Sequence, residues 1–168
     1  MPGYLDVLTQ KFNGAFTTSE FRDNRRVSVA ADKSPDVIFG LLACLKNECG
    51  FDMLADLAGI DYLNYPGAAD RFAVVYALTN TATGERVFVK AHANDPDPAL
   101  PSAVPLWEGA NWMEREVYDM FGVTFTGHPD LRRILMPDEF TSFPLRKDYP
   151  LRGAGERHNF VTVTRAEG

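Results

Sequence analysis

At 168 residues, with 45% apolar and 12% aromatic side chains, the chain is long enough for one folded domain with a real core and too apolar for global disorder. The net charge of −6 hides an asymmetry: residues 1–127 carry 10 Lys/Arg against 17 Asp/Glu, and residues 128–168 carry 7 against 6. An acidic body with a slightly basic end lacks the basic face that neutralises phosphates, and no apolar run reaches the roughly 20 residues of a membrane span. This balance argues against non-specific nucleic-acid binding, and the lack of a membrane span, with an opening MPGYLDVLTQKF that has no charged-then-apolar leader pattern, predicts a soluble, cytosolic chain.

Along the chain, RRVSVAA alternates Val27, Val29 and Ala31 on one face and reads as a strand. Ser34 is an N-cap with Pro35 at the first helical position; Ile38, Leu41, Leu42 and Leu45 recur at helical spacing, and Gly50 supplies a stop. Cys44 and Cys49 match neither a redox pair nor a cluster ligand set and are expected as buried, reduced core residues. FDMLADLAGIDYL is ambiguous between strand and helix edge. RFAVVYAL and RVFVKAHA are β-rich runs joined by TNTATGE, a hairpin signal with Gly84 where a positive φ is wanted. The order strand, helix, strand, hairpin predicts a two-layer α+β domain.

NDPDPALPSAVP breaks regular structure with four prolines, with a helical turn restarting near Ser102, and a helix follows from Ala110 to Phe121, ended by Gly122. Beyond His128 the character changes. Pro129, Pro137, Pro144 and Pro150 punctuate a stretch that also carries Leu131, Ile134, Leu135, Met136, Phe140, Phe143, Leu145 and Leu151. Proline denies this stretch a long helix or central strand, yet so many apolar groups are not left in water. The division expected is a body over residues 1–128 and an extended proline-rich arm over 129–168, whose apolar groups need a surface on the body or on a partner.

No dinucleotide fingerprint, Walker loop, H-E-x-x-H or nucleophile elbow is present, so nucleotide and hydrolase readings have no support. His92, His128 and His158 stand far apart without ligand-spaced partners and read as hydrogen-bonding structural residues; His128, before a proline, suits a turn. Glu114, Glu116 and Asp119 are the one acid/base cluster. At about 100° per residue, Trp112, Met113, Glu116, Val117, Met120 and Phe121 fall on one broad face and Glu114, Arg115, Tyr118 and Asp119 on the other. Glu116 is then a carboxylate on the apolar side that must find a cation, and Arg132, Arg133, Arg146 and Lys147 are the nearest supply. Charges locking the arm to the helix are the first reading, an interface across subunits the second, and proton transfer the third.

EREVYDMFGVTFTGHPDLRRIL, Glu114 to Leu135, resembles the signature of the respiratory-chain NADH dehydrogenase 30-kDa subunit family, the C-type subunit of the bacterial proton-pumping NADH:quinone oxidoreductase. The matching positions are Glu114, Arg115, Glu116, Asp119, Met120, Phe121, His128, Arg132, Ile134 and Leu135, with no departure among them. ILMPDEFTSFPLRKDYPL, which holds Arg146, Lys147, Asp148 and Tyr149, is similar to the family's C-terminal part. The resemblance implies a mixed sheet and a C-terminal tail running along the neighbouring D-type subunit, the one derived from a hydrogenase large subunit, with the B-type subunit close by. It implies no catalytic residue, cofactor or metal in this chain, FMN and iron–sulfur clusters lying in partner subunits, and a peripheral position on the cytoplasmic side of the bacterial inner membrane. The equivalent subunit of a membrane-bound hydrogenase, a formate hydrogenlyase or a ferredoxin-dependent quinone reductase is the closest rival. A free-standing binding module and a small independent enzyme are the others.

Overall fold

The computed structural model describes residues 3–155 apart from Asp23; His158 and the end of the arm, 156–168, lie outside the described residues. Its elements are α1 Tyr4–Lys11, β1 Thr17–Phe21, β2 Asn24–Val29, α2 Pro35–Asn47, β3 Met53–Asp61, β4 Phe72–Thr79, β5 Arg86–Ala93, β6 Ala99–Pro101, α3 Ala110–Phe121 and β7 Thr124–Thr126. Five strands form a mixed sheet in the order β1-β2-β5-β4-β3, with β2 and β5 parallel and the other pairs antiparallel, while β6 and β7 make a parallel pair. This is the two-layer α+β architecture with a mixed sheet.

Local chemistry sets the elements. Ser34 caps α2, its hydroxyl accepting from the Asp36 N–H at 3.3 Å, and Pro35 takes the first helical position, where its missing N–H costs nothing. The TNTATGE turn closes the β4–β5 hairpin with Gly84 at φ +74°. The ambiguous segment after Phe51 resolves as β3, paired antiparallel along β4. The proline-rich 96–105 stretch forms β6 and then a helical turn in which the Leu106 and Trp107 N–H groups donate to the Ala103 carbonyl. The sequence reading passes over α1 and β1. Helix α1 holds only eight residues, with Tyr4 and Leu8 as its buried face, and all five residues of β1 are exposed, so α1 gives too short a periodic signal and β1 none.

The core lies between the sheet and its helices. Val27, Val29, Val74, Tyr76, Val87 and Val89 point from the strands toward Leu8, Leu41, Leu42 and Leu45 of α1 and α2. Cys44 is buried as expected, whereas Cys49 is only half-buried because it follows the helix end; burial, first, and then Cys44 push its thiol up to about 11. Helix α3 packs closely on β3 at Gly59, where an added Cβ would stand 2.5 Å from the Phe121 ring and 3.2 Å from Val117. Gly59→Ala is accordingly expected to cost about 1–3 kcal/mol through overpacking, seen as a lowered denaturation midpoint with unchanged slope.

Candidate functional site

The surface that concentrates the signature residues is built on α3. Ala110, Glu114, Val117 and Phe121 face the body, while Trp112 and Glu116 are exposed. This corrects the predicted face. Counting Trp112 as a core residue rotates the apolar side by about a quarter turn, and it hides that the carboxylate turned inward is Glu114. Glu114 is tolerated inside because donors wait for it: Oε2 accepts from the Ser102 hydroxyl at 2.7 Å and Oε1 from the Ala103 N–H at 2.6 Å. Burial pushes its pKa up to about 7, against the lowering effect of those two donors. His128 lies beside it, with Nε2 4.0 Å from the Glu114 carboxylate and 3.1 Å from the Asn111 carbonyl, while Nδ1 accepts from the Asp130 N–H at 3.0 Å. The ring pins the turn into the arm, the structural role expected of it.

On the outer side of α3, one carboxylate gathers the chain that follows. Asp119 Oδ2 accepts the consecutive N–H groups of Ile134, Leu135 and Met136 at 3.0, 2.7 and 2.8 Å, and Oδ1 accepts from Arg133 at 2.6 Å. Three successive amides curled about one anion form a nest, and the charge satisfies all of them at once. Burial would raise the Asp119 pKa, but the Met136 and Leu135 amides, Arg133 and the Ile134 amide together hold it below the usual carboxylate range. One turn earlier, Arg115 donates to the carbonyls of Arg132 and Arg133, both at 3.1 Å. Arg133 continues to the Ser142 carbonyl at 3.0 Å, and its guanidinium lies over Phe140 and Phe143.

A second clasp lies further on. Leu145 N–H donates to the Met120 carbonyl at 3.1 Å and Arg146 Nε to the Phe121 carbonyl at 2.6 Å, capping the end of α3. The approach is close enough that a Cβ on Gly122 would fall 2.6 Å from Phe143 and 2.8 Å from Arg146. Asp61 accepts from the Lys147 N–H at 2.8 Å, and Arg71 ties Asp61, Asp95 and Asp148 together at 3.3, 2.5 and 2.7 Å. Phe140 is buried, with Tyr149 packed 5.9 Å away.

Charges therefore do lock the arm to the helix, but through Asp119 and Arg115. Among the described residues Glu116 has no ion pair, and Arg132 pairs only with Asp130 in its own turn. Where it is described, the stretch expected as an arm lies on the body. From 131 to 149 its backbone is fastened to α3 and to the sheet edge, because the polar groups that proline leaves without regular partners find them there. Asp61, Arg71, Asp95 and Ser102 had no signal in the sequence: they reach their partners across separations of 10 to 86 residues. Outward stand charged groups such as Glu116, Arg132 and Lys147, and among them large apolar ones. Of the eight large hydrophobic side chains exposed among the described residues, five lie here: Trp112 on α3, Ile134, Leu135 and Leu145 on the segment clasped to it, and Leu151 just beyond.

Comparison with known proteins decides the family. The family model described as respiratory-chain NADH dehydrogenase, 30 Kd subunit, matches residues 14–155. The chain belongs to this family. Within the 30-kDa subunit family, the C-type subunit of NADH-quinone oxidoreductase from Trichlorobacter lovleyi is 45% identical over 148 residues, 87% of this chain and 90% of that protein. The NADH-quinone oxidoreductase subunit 5 of Thermus thermophilus is 52% identical over 108 residues, 61% of this chain and 52% of the relative. The solved trypsin-resistant fragment 1–134 of Nqo5 superposes with a TM-score of 0.62 at 37% identity, covering 76% of this chain and 99% of the fragment. A chain of the archaeal membrane-bound sulfane sulfur reductase superposes with a TM-score of 0.70 over 96% of this chain and 91% of its own length, at 23% identity, and shows the shared fold alone. The signature of the 30-kDa subunit family is here largely a folding device: Glu114, Arg115, Asp119 and His128 hold the α3 region together, and Glu116 remains on the surface.

Proposed function

We propose that this chain is a structural subunit of the peripheral arm of a proton-translocating NADH:quinone oxidoreductase, and that it acts by presenting the α3 surface to the D-type subunit near the quinone-reducing end. The observation that carries this reading is the set of exposed Trp112, Ile134, Leu135 and Leu145 on a backbone fastened from beneath, with exposed Leu151 just beyond it. A hydrophobic group left in water on a fixed scaffold stabilises nothing in the free chain, and the same group covered by a partner contributes about 25 cal/mol per Å². Exposed Arg132 and Lys147 beside it offer rim pairing to carboxylates. Catalysis belongs, in this reading, to the assembly: FMN and the clusters reside in other subunits, and this chain contributes no redox group. No helix among the described residues is long and apolar enough to cross a membrane, which accords with attachment to the cytoplasmic face through neighbouring subunits, the B-type among them.

A tagged chain expressed with its companion genes tests this. The wild type is expected to bring the D-type subunit and cluster-bearing subunits with it. A Trp112→Ala, Leu135→Asp double variant is expected to melt like the wild type and to lose the D-type subunit at least about thirtyfold, the ~2 kcal/mol of an interface anchor. Full retention of that partner by a folded double variant sinks the assignment of this surface.

A further inference from the structure

A cleft of about 490 Å³ opens between the Gly14–Thr17 approach to β1, the sheet face of β2 and β5, and the loop from Tyr62 to Asp70. It shares no residue with the α3 surface. Phe16, Pro66 and the exposed Tyr65 supply its apolar walls, and Ser28, Asp70 and His92 its polar end. Ser28 Oγ is 3.0 Å from His92 Nε2, while His92 Nδ1 is buried, has no hydrogen-bond partner among the described residues, and stands 3.9 Å from Asp70 Oδ2.

Hydroxyl, imidazole and carboxylate in this order suggest acyl transfer, and the geometry denies it. A 3.9 Å gap is not a hydrogen bond. Ser28 also sits inside β2, flanked on both sides by β1 and β5, so the amides around it belong to the ladders and form no oxyanion hole. The alternative is binding, and the charges say of what. Asp70 accepts only from neutral donors, the Asn94 amide at 2.7 Å and the Ala31 N–H at 3.3 Å. Each nearby cation has another partner: Lys33, which lines the same cleft, pairs there with Asp32 at 3.3 Å, Arg71 holds Asp61, Asp95 and Asp148, and Lys90 donates to the Tyr62 hydroxyl at 3.0 Å. The Asp70 side chain, only 17% exposed, is thus a carboxylate with no cation among the described residues.

We propose that the cleft binds a small organic cation, an ammonium group on a short apolar stem, with the ammonium on the Asp70 carboxylate beside the His92 ring and the stem against Phe16, Tyr65 and Pro66. An ammonium supplies the charged donor that the Asp70 carboxylate otherwise lacks among the described residues. Aromatic ring faces favour a cation over an anion of the same shape, and Asp70 repels the anion outright. The test is a titration of the full chain with phenethylammonium, followed by NMR, with phenylacetate as the size-matched anion. Saturable binding that shifts the His92 and Tyr65 signals is expected, with phenylacetate inert. Asp70→Asn is expected to weaken it at least about tenfold, as loss of a charge-assisted pair. Tyr65→Ala, an exposed change that leaves the fold intact, is expected to weaken it about threefold. Absence of saturation, equal binding of phenylacetate, or wild-type affinity in both variants overturns the proposal.

Discussion

Asp119→Ala is expected to lower stability by about 3–5 kcal/mol, because it leaves the Arg133 cation and three N–H groups without their acceptor under packed apolar side chains. The sign with pH follows from the lowered folded-state pKa. The contribution of Asp119 is present above the ordinary carboxylate range near 3.8 and is lost as pH falls through the depressed folded value. Denaturant unfolding measures the loss, and Glu116→Ala serves as the internal control, expected to stay within about 0.5 kcal/mol because the side chain is exposed and unpaired among the described residues. A helical phase that buries Glu116 requires the reverse order, so the pair of variants separates the two placements.

Glu114 is expected to act in the opposite direction. Its folded-state pKa is about 7 against 4.5 for the ordinary glutamate, so between these values the folded chain retains a proton that the unfolded chain has released. Stability is therefore expected to fall as pH rises through this window, by about 3 kcal/mol at roughly 1.4 kcal/mol per pKa unit, with the loss complete above about pH 7. Glu114→Gln keeps an acceptor for the Ala103 N–H and offers an N–H to the Ser102 hydroxyl, without the buried charge. The difference between wild type and variant, measured by unfolding across the window, isolates this one group. The variant is expected to gain on the wild type steadily as pH rises; parallel curves would show that Glu114 carries no raised pKa.

Much of the fold was legible because its signals were local. The Ser34–Pro35 cap, the hairpin around Gly84 and the stop at Gly122 each rest on neighbours within a few residues, and all three stand where the sequence places them. The limits of α3 were also legible, yet its rotation was not. Periodicity counts Trp112 as apolar and Glu114 as polar, and it has no means of knowing that Ser102 and Ala103 wait to receive a carboxylate or that the body leaves a tryptophan outside. The same limit governs the arm. Its prolines truthfully forbid helix and central strand, but the partners of its backbone amides are Asp119 and Asp61, and only the fold brings these within reach. Motif resemblance found the family where residue-by-residue chemistry was silent, and the structure then divided the motif into residues that clasp and residues that face outward.

The central claim is that residues 131–149 are held on this chain's own α3 while their outward apolar side chains, with Trp112, await another subunit. Hydrogen exchange on the free chain and on the native assembly tests it most directly. The amides of Ile134, Leu135 and Met136 are expected to be protected in both states, since Asp119 binds them in the free chain, whereas the exposed amides of Asp138, Glu139, Leu151 and Arg152 are expected to gain protection only on assembly. Rapid exchange at 134–136 in the free chain, or no gain anywhere in 129–155 on assembly, would contradict the account.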